Sequence, residues 1–369
     1  MQYSDGFDGA IGVTGRAALD GVYPHATCEI DGNKVLIHLR TRTHVVVTDS
    51  IAKTGDKIPG AIGPGLWSDV GDIKVGGSGP NSCIAGRLAA PNILFRYLDA
   101  CAPHELIQCR LTHPGLETRY LGLEDVPTNV VLGVRDNRLI IKQKHCRQRA
   151  FADADLAGLR WLARCECVRA NSVKHIEVAE YLAQEARAGN IKLHVVPSPY
   201  LPCDFVASRW LPAASEICTS QDEIGKVMGW DVGQRLADTP AVIGRIRELN
   251  KKAIIHVTRG DDGVVVSIPG EAEPVHVRLE RSWDEVQKYV AEDPTVLCGA
   301  GDAFAMGSTL LLQTGLSVLE DMDRASPAAV RAAVAGSALA VRWAGWVPRL
   351  SHADFAVQRV PLPISVAAA

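Results

Sequence analysis

A charge excess is missing from this sequence. Among 369 residues, 39 Lys and Arg stand against 42 Asp and Glu, for a formal net charge of −3. That excludes a basic field of the kind that attracts nucleic acid or an acidic membrane surface. No apolar run approaches the ~20 residues of a membrane-spanning helix. Met1 to Gly15 is polar and glycine-rich, with no basic segment leading into an apolar core, so no secretory signal is expected. Ten cysteines are present, yet C-x-x-C pairs and histidines at zinc spacing are not; Cys165 and Cys167 form one C-x-C and the others stand singly. The expectation is reduced, mostly buried thiols in the cytoplasm. Internal repeats are absent.

What is there is an ordinary globular composition, 47% hydrophobic and 22% charged. The length admits one large domain with a small appendage, or two domains. Residues 1–43 read as an extension of unclear role, with the main domain over 44–365. Ala26 to Leu39 predicts two strands around Asp31-Gly32-Asn33, a hairpin turn. His44 to Thr48 reads as a buried strand, and Gly55 to Gly65 as a loop. Helical spacing runs from Asn81 to Tyr97, and Val126 to Lys142 alternates over two strands turning at Asp136-Asn137.

From about residue 150 helices and strands alternate. Helices are predicted over 153–164, 172–188, from Gln221, 241–249, 303–313 and 327–343, and strands over 191–196, 216–218, 253–257 and 264–268. This is the pattern of an α/β fold, a doubly wound, mostly parallel central sheet flanked by helices. The alternating strands drawn from about 20–40 and 110–145 suit a small β-sheet lid with one exposed face. In such a fold ligands bind beyond the carboxyl ends of the strands.

The strongest chemical signal is Gly299-Ala300-Gly301-Asp302, ahead of an apolar helix. Two glycines allow a tight turn that exposes successive N–H groups, and the helix adds its positive dipole end. Such a turn is an anion hole for a transferred phosphoryl group. Asp302 at the helix start can accept the proton of an attacking hydroxyl. The same four residues also read as a plain helix N-cap.

Three further segments stand out. Gly76-Gly77-Ser-Gly-Pro-Asn81 opens a small-residue helix; the glycines allow a ligand close to the backbone, and Asn81 offers a donor and an acceptor. Thr258-Arg259-Gly260-Asp-Asp-Gly263 lies between two predicted strands and reads equally as a hairpin turn. Ser220-Gln-Asp-Glu223 starts a helix and reads as a capping box.

Together these segments resemble the signatures of the ribokinase-like (pfkB-type) carbohydrate kinases, over roughly residues 44 to 350. Gly299-Ala300-Gly301-Asp302-Ala-Phe304 matches the second signature, in which the Asp is the catalytic base; Val296-Leu297 stands where the family has Asp-Thr. Gly76, Gly77 and Asn81 match the first, whose residues contact the sugar. Thr258, Gly260 and Gly263 match V-T-x-G-x-x-G, which lies along the nucleotide phosphates. Glu223 falls where the N-x-x-E motif organises Mg²⁺, with Ser220 in place of its Asn. The family also places a sugar-binding Asp near the end of its first strand, and Asp49 is the residue carried over. Gly336 and Ser337, in the last helix, would flank the adenine.

The resemblance implies an ATP-dependent kinase acting on a hydroxyl of a sugar, with Mg²⁺ and ATP as co-substrate, no nucleic-acid or membrane partner, and a homodimer favoured by an exposed lid sheet. A nucleoside acceptor and an ADP donor are the alternative enzyme readings. A sugar- or nucleotide-binding regulator without turnover is the non-enzymatic one.

Overall fold

Strands buried along their whole length belong to parallel sheets covered on both faces. β1 (Ala10–Gly15) and β12 (Cys167–Asn171) are of this kind. The structure, a computed structural model, describes residues 10–23, 27–39, 42–51, 57–63, 66–67, 72–134, 137–143, 147–233, 235–280, 298–316, 318–319, 326–343 and 350–360. Val296-Leu297, Asp136 and the first nine residues lie outside the described residues.

Among the described residues the main sheet has ten strands, and β1 lies inside it, parallel to β12 on one side and to β8 (Leu94–Cys101) on the other. Parallel pairing continues outward from β8 to β9 (Leu116–Glu124), and from β12 through β13 (Lys192–Val196) and β14 (Glu216–Ser220) to β15 (Ile254–Thr258). β16 (Val264–Ser267), β17 (Val275–Leu279) and β18 (Phe355–Arg359) then add an antiparallel edge.

Helices cover both faces. On one side α3 (Leu156–Leu162), α4 (Ile176–Arg187), α5 (Gln221–Met228) and α6 (Thr239–Leu249) pack on Val168, Ala170, Leu193, Val195, Ile217, Ile255 and Val257. On the other side α1 (Ser78–Ala89), α7 (Ala300–Thr314) and α8 (Ala328–Trp343) pack on Ile11, Val13, Phe95, Val264 and Val266. Side chains alternate along a strand. The residues between the first set, Arg169, His194, Glu216 and His256, therefore face α7.

A second sheet joins β2 (Ala18–Tyr23), β7 (Asp72–Gly76), β10 (Thr128–Val134), β11 (Asn137–Gln143) and β6 (Lys57–Gly60). A third is the meander β3 (Thr27–Asp31), β4 (Lys34–His38), β5 (Thr43–Val47). The two share a core of Tyr23, Val35, Ile37, Val46, Ile58, Val130, Leu132, Leu139 and Ile141. The hairpin at residues 27–38 turns at Gly32, whose φ is 58°.

Several expectations need correction. Residues 10–15 are no extension, because β1 is a central strand. Val45 and Val47 are exposed, so the β-branched run at 44–48 is half-exposed rather than buried. The helix beginning at Ser78 ends at Ala89, since Pro91 cannot continue it, and Leu94 to Tyr97 belong to β8. β9 lies in the main sheet, so the region from 110 gives the lid only β10 and β11. Among the described cysteines none is paired; Cys83, Cys101, Cys165, Cys167 and Cys218 are buried. No helix among the described residues is long and apolar enough to cross a membrane.

Candidate active site

Two helices begin at the same place. α1 is entered through Gly77 (φ 93°) and α7 through Gly299 (φ 90°), conformations that favour glycine. Neither glycine N-cap carries a side chain to cap its helix, so among the described residues no side chain of the N-cap covers either dipole end. Close approach requires glycine as well. A Cβ on Gly299 would lie 2.9 Å from Asn81 Nδ2 and 2.8 Å from Trp343 Nε1, and one on Gly77 would lie 2.2 Å from the Arg16 carbonyl oxygen. A Cβ on Gly301 would meet none of the described residues within 4 Å.

Asn81 ties the two helices together by donating from Nδ2 to Asp302 Oδ2 at 3.0 Å. Ser82 Oγ donates to the Asp302 carbonyl oxygen at 3.0 Å, and Asn171 Nδ2 donates to Ser82 Oγ at 2.6 Å. Asn171 is the last residue of β12, so this chain fixes the Asp302 turn over the carboxyl end of a central parallel strand. Ligands of open α/β sheets collect there. Asp302 itself is half-buried.

Asp20 completes this corner and was not anticipated from the sequence. It lies on β2, across from β7, and a Cβ on Gly76 would fall 1.9 Å from its Oδ2. Gly76 therefore makes room for a carboxylate. Asn129 Nδ2, on the neighbouring β10, donates to Asp20 Oδ1 at 2.7 Å. The sequence carried little signal for it, because the strand before it, Ala10 to Gly15, is short and broken by glycine. Asp49 lies elsewhere: it is exposed after β5, with its N–H on the Pro59 carbonyl at 3.2 Å.

The connection from β1 to β2 crosses Asp99, which is fully buried on β8. Its Oδ1 accepts from the Cys101 N–H at 3.0 Å and the Ala17 N–H at 3.4 Å. Burial pushes this carboxyl up to about 6, against the pull of those two N–H groups.

A second group forms at the ends of β14 and β15. Thr258 Oγ1 donates to the Thr219 carbonyl at 3.3 Å. Arg259 is neither solvated nor turned outward; its Nη1 donates to Gln221 Oε1 at 2.5 Å and Thr239 Oγ1 at 3.1 Å. Gly260 is open, whereas a Cβ on Gly263 would lie 2.2 Å from the Val277 carbonyl. Glu223 is exposed and forms a capping box: its N–H donates to Ser220 Oγ at 3.2 Å and its Oε2 faces the Ser220 N–H at 3.5 Å. An exposed carboxylate suits a hydrated Mg²⁺, a hard cation that prefers oxygen and keeps its waters. Gly336 lies in the α7–α8 contact, and Ser337 bonds within its own helix. A Cβ on Gly336 would lie 2.7 Å from the Phe304 carbonyl, and Ser337 Oγ bonds the Ala333 carbonyl at 2.8 Å.

Among the described residues one trio with metal-ligand chemistry comes together, Glu216, Cys218 and His256. It is buried under α7, and Glu216 already bonds the Arg169 guanidinium.

Solved structures with the same chain path carry this arrangement of helices and sheets. The adenosine kinase of Anopheles gambiae, solved with P1,P4-di(adenosine-5) tetraphosphate, superposes with a TM-score of 0.60 at 15% identity, covering 90% of this chain and 94% of that one. The chain has the ribokinase fold. Ribokinase from Giardia lamblia matches with a TM-score of 0.60 at 15% identity, over 92% of this chain and 95% of its own. Ribokinase from Arabidopsis thaliana, complexed with ribose and ATP, matches at 0.53 and 16% identity, over 89% and 91%. No family model and no curated protein sequence matches this chain. The second and third sheets are the small β-structure that the sequence expectation of a lid called for.

Proposed function

We propose that the protein is a kinase that moves the terminal phosphoryl group of ATP to a hydroxyl of a small polar acceptor, a sugar by the motifs at Gly76 and Asn81. The observation that carries this reading is the Asn81–Asp302 hydrogen bond between two glycine-capped helix N-termini. A carboxylate beside two uncapped dipole ends has both parts that phosphoryl transfer needs, a proton acceptor and a fixed positive environment.

In this mechanism Asp20, Gly76, Gly77 and Asn81 hold the acceptor. Its hydroxyl proton passes to the Asp302 carboxylate as the oxygen bonds to the γ-phosphorus. The bond from that phosphorus to the bridging oxygen breaks, and ADP leaves. The Ala300 and Gly301 N–H groups stabilise the charge on the transferred group. Thr258, Gly260 and Gly263 lie along the nucleotide phosphates. Glu223 would hold Mg²⁺ through water, and the ion would supply positive charge against the phosphates. Asn81 orients the Asp302 carboxylate, and the lid excludes water that would otherwise be phosphorylated.

A nucleoside acceptor is the second reading, favoured by the equal superposition on an adenosine kinase and a ribokinase, each at 0.60. Both are tested together by a coupled assay with Mg²⁺, ATP or ADP, and a panel of sugars and nucleosides. Turnover on one acceptor that vanishes in Asp302→Asn supports the kinase. Binding of nucleotide or sugar without any turnover supports a regulator on the same fold.

A further inference from the structure

Beneath the Asp302 turn the main sheet holds a charged cluster. Arg169 on β12 and Glu216 on β14 are both fully buried, and their side chains form an ion pair. Burying two charges yields little net stability, and apolar replacements of similar size are often as stable. This pair therefore calls for a reason other than holding the core together.

The partners of the pair supply one, since α7 provides them in numbers. Arg169 donates from Nη2 to the Ala305 carbonyl at 2.9 Å and from Nε to Thr309 Oγ1 at 2.8 Å. Glu216 accepts from Ser308 Oγ, and from Thr309 Oγ1 at 3.4 Å. His194 on β13 reaches Glu216 Oε2 at 2.7 Å through Nδ1, while its Nε2 lies 2.9 Å from Gln313 Nε2, also on α7. With Gln313 donating, Nε2 is the acceptor, so Nδ1 carries the proton and donates to Glu216. His256 on β15 adds an edge contact to Phe304, with ring centroids 5.7 Å apart.

Ala305 and Thr309 follow Asp302 by three and seven residues, so all three share one helix stripe, about 10 Å long. The other side of α7 rests on α8 through Gly307 and Gly336, where a Cβ on Gly307 would lie 2.9 Å from Gly336 Cα. A glycine seam brings backbones close but has no side chain to set rotation or axial position. Directional bonds to a guanidinium and a carboxylate do set them.

We propose that Arg169 and Glu216 are positioning residues: they lock the rotation and height of α7 and so aim Asp302 at Asn81 and the acceptor. The inference rests on Asp302 acting in phosphoryl transfer. A misplacement of about 1 Å at a reacting group can lower turnover about 100-fold.

The test is the double variant Arg169→Met/Glu216→Leu, which removes both charges and keeps the volume apolar. Expected are a cooperative thermal transition near that of the wild type, an unchanged KM for the nucleotide, and a kcat lower by about 10- to 100-fold. A folded double variant with wild-type kcat overturns the proposal. If the double variant does not fold, Glu216→Gln decides, since it keeps the shape and loses the charge; a lower kcat supports positioning and an unchanged kcat overturns it. If the wild type turns over no acceptor, the kinase reading fails separately. A crystal structure of the folded variant then decides the inference by itself. Loss of the Asn81–Asp302 hydrogen bond supports positioning, and a bond retained at 3.0 Å overturns it.

Discussion

Asn81 and Asp302 are 221 residues apart in the chain and share one hydrogen bond, Nδ2 to Oδ2, at 3.0 Å. The bond links the first turns of two helices, each entered through a glycine N-cap. Its chemistry separates two kinds of loss. Asp302→Asn removes the proton acceptor and keeps the shape, so kcat should fall by about 10²- to 10⁴-fold while nucleotide still binds. Asn81→Leu removes the hydrogen bond that Asn81 donates to the carboxylate and should raise the KM for the acceptor. Steady-state kinetics on both variants checks this. Equal kcat in Asp302→Asn and wild type removes Asp302 as the base.

Gly77 and Gly299 were legible in the sequence because tight turns are local: a positive φ and a close approach are written into two or three residues. β1 was not legible. Ala10-Ile-Gly-Val-Thr-Gly15 is buried throughout, and a glycine-broken run without alternation carries little strand signal. Once β1 was missed, Asp20 was missed with it. The run Val45–Val47 then took the place of the first strand, although its side chains alternate toward solvent on the third sheet. Arg169 escaped for a different reason. A charged residue inside β12 is acceptable only because Glu216, His194 and α7 converge on it from positions 25 to 140 residues away.

Gly76 and Gly301 should fail in opposite ways when given a methyl group. In Gly76→Ala the new Cβ would sit 1.9 Å from Asp20 Oδ2, and the flexible carboxylate must move. Stability should change little, but the acceptor KM should rise by about 10- to 100-fold, the range for a hydrogen bond to a charged group. Gly301→Ala meets none of the described residues within 4 Å, so the fold should be as stable or slightly more so. Its methyl group would occupy the space proposed for the phosphoryl group, and turnover should drop. An active Gly301→Ala enzyme would move the phosphoryl site away from this turn.

Gly336→Ala tests the contact between α7 and α8. A Cβ there would come within 2.7 Å of the Phe304 carbonyl, a backbone atom that cannot swing aside. Overpacking of this kind costs about 1–3 kcal/mol. A lower midpoint in urea with an unchanged nucleotide KM is expected. A raised nucleotide KM at unchanged stability would return Gly336 to the adenine site.

Asp99 should leave a signature in the pH dependence of stability. Burial raises its folded pKa from 3.8 to about 6. Between those values the folded state binds the proton and the unfolded state does not. The contribution is therefore fully present below about pH 4 and is lost as pH rises through about 6, with a slope of up to about 1.4 kcal/mol per pH unit. Urea unfolding of wild type and Asp99→Asn from pH 4 to 7 isolates it. The stability of the wild type relative to the variant should decline across that range, and a constant difference would refute the assignment.

Glu223 carries two roles that a pair of variants can separate. As a capping-box residue it needs only an acceptor facing the Ser220 N–H, which glutamine also provides. As the residue that holds a hydrated Mg²⁺ it needs its negative charge, since a hard cation is held by carboxylate rather than amide. Glu223→Gln should therefore keep the wild-type thermal midpoint and require more Mg²⁺ for half-maximal turnover. Glu223→Ala should show the same Mg²⁺ requirement and lose about 0.5–1.5 kcal/mol with the one hydrogen bond from the Ser220 N–H, while Ser220 still caps the helix. The two effects are independent because the carboxylate is exposed and its removal leaves no buried group without a partner. A Mg²⁺ titration of Glu223→Gln that overlays the wild type would reduce Glu223 to a helix-capping residue.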